Sequence, residues 1–164
     1  MKMSHFNILN FICLIGFFPV AASAQLIVSA DGSEVTDTKT GLIWRHCPEG
    51  MASSATACTG TATPFTHEGA LLRATAQAGT VGWRLPNVKE LSSIVDKTVI
   101  NPAIDSAVFP ATPASLFWSS SPFVSGSSSA WVVDFGAGVV GGSGGLGRND
   151  TNHPYSVRLV RGGL

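Results

Sequence analysis

Apolar residues occur mostly in short runs along this chain, and only two stretches repeat them at helical spacing. Leu26-Ile27-Val28 and Leu42-Ile43-Trp44 are apolar triplets. The turn-forming Ala30-Asp31-Gly32-Ser33 and the segment from Asp37 to Gly41 lie between them, which predicts short strands. A helix is expected after Thr66, whose hydroxyl can cap it. Glu68 favours its positive end, Ala70, Leu71 and Ala74 lie near one face, and Gly79 can end it. A second helix is expected after Asn87, with Glu90 completing a capping box and Val88, Leu91, Ile94 and Val95 on a helical period. Pro86 before it and Asn101-Pro102 after it limit its extent.

From Ser115 onward the pattern is β-like. Leu116-Phe117-Trp118 reads as one strand. In the stretch from Ala130 to Phe135, Trp131, Val133 and Phe135 share one face and Asp134 takes the other. Gly138-Val139-Val140 suits a hairpin partner, and Tyr155, Val157 and Leu159 fall together in a last alternating stretch. The intervening GGSGGLGRNDTNHP predicts no packed element, and 48–64 reads as a Ser/Thr/Ala/Gly loop. Strands, then two helices, then strands give an α+β fold.

Lys2 followed by the apolar run 8–18 and the small residues Ala22-Ser23-Ala24 predicts a cleaved export signal over 1–24. The run is too short for a membrane span, which needs about 20 apolar residues, and no second span follows. Removal of this segment takes Cys13 with it and leaves Cys47 and Cys58. In an exported chain that pair reads as a disulfide rather than as metal ligands with His46 or His67. The expected location is periplasmic or extracellular.

Charge then narrows the function classes. Lys plus Arg and Asp plus Glu each number 10 among 164 residues, and charged residues make up 12%. Such a chain lacks the positive field that binding to nucleic-acid phosphates requires. The GAGVVG match at 136–141 has no helix pattern behind it and does not make a dinucleotide site. The aspartates lack EF-hand spacing, although irregular loops can still hold calcium. Trp44, Trp83 and Trp118 are assigned to the core, with Trp131 divided between core and ligand. Arg84, Arg158 and Arg161 suit ion pairs or hydrogen bonds to loop carbonyls.

TGLIW at 40–44, GWRLPNVKEL at 82–91, NPAI at 101–104, FWSSSP at 117–122, AWVVDF at 130–135 and VRLVRGG at 157–163 occur in that order. Together they closely resemble the Lcl C-terminal domain family, named after a collagen-like bacterial adhesin, over 35–163, with 25–34 as a short lead-in. The resemblance implies a C-type-lectin-like fold: small antiparallel sheets flanked by two helices, with N- and C-terminal strands paired. It also implies a non-enzymatic binding module. In the adhesin the related domain contributes to binding sulfated glycosaminoglycans. This chain departs from many relatives at Gly82, where they carry Asp, and it has no collagen-like repeats.

The leading expectation is an exported module, with no required cofactor, that recognises a glycan or protein through its C-terminal loops. The residues expected at its site are Ser121, Phe123, Trp131, Asp134, Arg148, Asp150, Asn152 and His153. Phe123 and Trp131 would stack, and the polar groups would orient the ligand. A second reading is an assembly module of the cell envelope. A third is an enzyme of the formylglycine-generating type, which needs a reactive cysteine pair in the C-terminal part, whereas Cys47 and Cys58 are N-terminal.

Overall fold

The computed structural model describes residues 25–79, 81–123, 129–140 and 152–162, and the backbone of 148–150. The export signal expected over 1–24 lies outside these residues. No described helix is long and apolar enough to cross a membrane.

The chain is α+β. Strands β1 (Leu26–Val28), β2 (Glu34–Asp37) and β3 (Leu42–Arg45) form an antiparallel meander, and β10 (Val160–Gly162) completes it in the order β1-β2-β3-β10. The C-terminal strand thus pairs with the N-terminal sheet, Val160 opposite Trp44 and Gly162 opposite Leu42. The turn from β1 to β2 depends on Gly32. Its φ is 67°, and a Cβ there would fall 2.0 Å from the Ser54 carbonyl oxygen, so only glycine fits.

The loop expected over 48–64 contains a small ladder: β4 (Ala52–Ser53) pairs with β5 (Cys58–Thr59). Cys47 and Cys58 are joined in a disulfide that closes this hairpin. Helices α1 (His67–Ala78) and α2 (Val88–Ser93) follow. Thr66 Oγ1 accepts from the Gly69 N–H at 3.1 Å, and Gly79 ends α1. Asn87 and Glu90 form the capping box in both directions. The second helix stops at Ser93, yet Ile94 beyond it is still buried beside Leu91.

The second sheet consists of β6 (Leu116–Pro122), β7 (Ser129–Asp134) and β8 (Val139–Val140), with β9 (Arg148–Asp150) also on β7. Two strands share one edge of β7: β8 pairs with its C-terminal half and β9 with its N-terminal half. The expectation that 141–154 holds no packed element is therefore corrected at 148–150. Backbone pairing there needs no particular side chain, so glycine-rich flanks do not prevent it.

Both faces of this sheet are covered. Phe117, Val133 and Phe135 join Val35, Trp44, Leu91 and Phe109 in one core cluster. Trp118, Ala130 and Val132 join Ala70, Ala74, Trp83, Val157 and Leu159 in a second. Trp44, Trp83 and Trp118 are core residues, as expected. Arg158 is fully buried between the layers. It donates to the carbonyls of Arg45 and His46 and, at 2.7 Å, to Thr112 Oγ1, and it lies over the Phe109 ring. Burial lowers its guanidinium to about 9, which leaves it protonated at neutral pH.

Candidate functional site

The two aromatic residues expected to bind ligand are brought together by strand register. A bulge between Trp118 and Pro122 shifts the β6–β7 pairing so that Pro122 lies opposite Ala130. The Phe123 N–H then donates to the Ser129 carbonyl at 3.0 Å. This places the Phe123 ring edge-on to Trp131, with ring centres 5.2 Å apart. Both side chains are half-buried, so part of each ring faces outward. Trp131 is also opposite Arg148, and Ser129 opposite Asp150, which brings the backbone of two more expected residues to this end of the sheet.

Beneath the pair the strands are joined by hydroxyl groups. Ser119 is buried, and its Oγ donates to the Trp131 carbonyl at 2.8 Å and accepts the Ser121 N–H at 3.3 Å. Ser121 Oγ accepts the Val88 N–H at 3.0 Å, the first N–H of α2. Ser121 thus supports the site from below by anchoring helix to strand.

The remaining expected residues are dispersed. Asn152 and His153 are exposed, and the His153 ring stacks on Tyr155 with centres 6.2 Å apart. Tyr155 in turn contacts Trp118, whose far edge meets His67, so an aromatic row runs from the surface into the second core cluster. Asp134 is at the other end of β7, opposite Leu116. Its Oδ1 accepts the N–H groups of Gly136 and Ala137 at 2.7 and 3.4 Å, which closes the turn into β8. That geometry makes Asp134 a turn residue at a distance from the aromatic pair.

The arginines form the contacts anticipated for them. Arg84 pairs with Glu90, Arg161 with Glu34, and Arg158 with carbonyls. A ring nitrogen of His46 lies within 4.8 Å of the sulfurs of Cys47 and Cys58. Those sulfurs are bonded to each other, and His46 Nδ1 is 2.6 Å from the Gly32 carbonyl oxygen, so the group is built as a structural staple.

The framework that carries the site is a family framework. The family model for the Lcl C-terminal domain matches residues 33–161. The chain belongs to this family. No curated protein and no solved structure is significantly similar to it. Within this Lcl C-terminal domain the framework segments are mainly buried: Trp44, Trp83, Leu85, Leu91, Phe117, Trp118, Val133 and Leu159 all belong to the core.

Proposed function

We propose that this Lcl C-terminal domain is a non-enzymatic module that works outside the cytoplasm and takes a glycan or protein ligand on the Phe123–Trp131 surface. The carrying observation is the half-buried edge-on pair at the sheet end where β6, β7 and β9 meet. Half-buried aromatic rings on a strand tied to its neighbour through Ser119 suit stacking on a sugar ring or an apolar side chain. A C-type-lectin-like fold fits the paired N- and C-terminal strands, the second sheet and its two flanking helices.

Glycan-array and surface-binding measurements on the purified protein test this reading. Binding that falls by about tenfold or more in Phe123→Ala and Trp131→Ala, with folding retained, is the expected result. Undiminished binding in both variants moves the site elsewhere.

One observation favours the assembly reading. Val139 and Val140 on β8 are exposed, 49% and 44%. Sedimentation at several concentrations separates the two: a monomer that binds ligand supports the module, and an oligomer without ligand supports assembly.

A further inference from the structure

A concavity that shares no residue with the Phe123–Trp131 pair opens beside the disulfide. It has a volume of about 460 Å³ and is lined by Arg45, Glu49, Met51, Ser53, Arg73 and Gln77 among others. Arg45 is held there by two contacts. Its NH2 donates to Gln77 Oε1 at 3.3 Å, and its guanidinium carbon lies 4.3 Å from the centre of the Trp83 ring. Neither contact neutralises it. The ion pairs among the described residues are Arg73–Glu49, Arg84–Glu90 and Arg161–Glu34, and none includes Arg45.

The surroundings raise the local positive charge. Arg73 Nε is 2.6 Å from the buried Glu49 carboxylate, and Arg161 is 2.7 Å from that of Glu34. Arg161 also lies over the Trp83 ring. Arg158 reaches the Arg45 carbonyl from the core, and it too lacks a carboxylate. Of these charged groups only Arg45, Arg73 and Glu49 line the cavity itself, in a chain whose formal charges balance overall. A guanidinium supported by an indole face and one amide oxygen retains N–H donors for a ligand, at little ordering cost.

We propose that this cavity binds a compact hydroxylated monocarboxylate, with Arg45 as its anchor and Arg73 alongside. The planar guanidinium fork matches a planar carboxylate. The charged groups lining the cavity are Arg45, Arg73 and Glu49, so a single negative charge balances them. A dianion would exceed that balance beside Glu49. Gln77 and Ser53 provide polar atoms for hydroxyl groups. The proposal does not depend on the aromatic surface, and the two fail separately.

Calorimetry on the oxidised protein, together with NMR shift mapping, provides the test. Galacturonate and lactate represent the sugar and non-sugar sources of the same chemistry; galactose and sulfate are the controls. Saturable binding of either carboxylate, with shifts centred on Arg45 and Gln77, is the expected result. Arg45→Gln should weaken binding by about tenfold or more and Arg45→Lys by less, because lysine keeps the charge but loses the fork. Trp131→Ala should leave it unchanged. Shift mapping on the unaltered protein decides the matter if Arg45→Gln does not fold. The proposal is overturned by galactose or sulfate binding as tightly as the carboxylates, by shifts centred elsewhere, by full affinity in a folded Arg45→Gln, or by no saturation with either carboxylate.

Discussion

Glu90 and Arg84 form a two-pronged ion pair, Oε2 to NH1 and Oε1 to NH2, both at 2.7 Å. The same Glu90 Oε2 accepts the Asn87 N–H at 2.8 Å, and Arg84 NH2 also donates to the Gly162 carbonyl at 3.2 Å. One carboxylate thus links the start of α2 to the C-terminal strand. Glu90→Gln should destabilise the fold by about 1–2 kcal/mol, the cap and the partly exposed pair each contributing up to about 1. Chemical denaturation of the two proteins at neutral pH measures the difference.

The same carboxylate makes stability depend on pH. Burial raises the Glu90 carboxyl, but hydrogen bonds from Arg84 and the Asn87 backbone, with the guanidinium charge, outweigh burial and hold it below its usual 4.5. With a folded value below the unfolded one, the contribution is complete above the usual carboxylate range. It is lost as pH falls through the folded value. The Tm gap between the native chain and Glu90→Gln should therefore narrow on acidification.

Asp31 offers a local check of the β1–β2 turn. It accepts hydrogen bonds from Ser29 Oγ at 2.6 Å and from the Ser33 N–H at 3.1 Å. These, with the Ser33 hydroxyl, lower its carboxyl to about 2, the Ser29 hydroxyl contributing most. Its support of the turn is present above the ordinary carboxylate value and disappears as pH falls through about 2. Ser29→Ala should move the Asp31 titration upward in an NMR pH series.

Arg158 makes a sharper prediction for the core. Thr112→Val preserves shape but removes the oxygen that accepts from NH2, so a buried charged donor loses its partner. A loss of about 1–3 kcal/mol is expected. Arg158→Ala also leaves a cavity and two carbonyls without their donor, and a loss of about 3–5 kcal/mol is expected, measurable by denaturant unfolding.

The Cys47–Cys58 bridge spans 11 positions of sequence. Replacing both cysteines with alanine should cost about 2–3 kcal/mol, the scale expected for closing a loop of that length. Adding a reductant to the native protein should reproduce the loss, and adding it to the double variant should have no effect.

What could be read in the sequence was local. The caps at Thr66 and Asn87 lie within three residues of the N–H groups they satisfy, so both helix starts were legible. Trp44, Trp83 and Trp118 were legible as core because large apolar rings beside strand and helix boundaries have few alternatives. β9 was not legible: its pairing is backbone-to-backbone across a glycine-rich stretch with no apolar alternation. For Arg158 the sequence leaves ion pairs and loop carbonyls both open, and its complete burial depends on carbonyls 113 and 112 positions away. Phe123 and Trp131 were both chosen as ligand residues, but their mutual contact follows from a bulge that no local pattern announces. The Arg45 cavity was missed for the same reason, since Gln77 is 32 positions from Arg45 and joins it only through the fold.

The clasp between β10 and β3 also has a kinetic meaning. Leu42 and Trp44 are made early in synthesis, but their partners Gly162 and Val160 emerge more than a hundred residues later. Until then β3 keeps an open edge, and the Arg158 carbonyl acceptors at 45 and 46 wait for their donor. A chain released end-first from a ribosome or a translocation channel therefore cannot seal this sheet piecemeal. Closure is a late, concerted event, and the domain should reach its rigid form only after almost all of it is free on one side of the barrier.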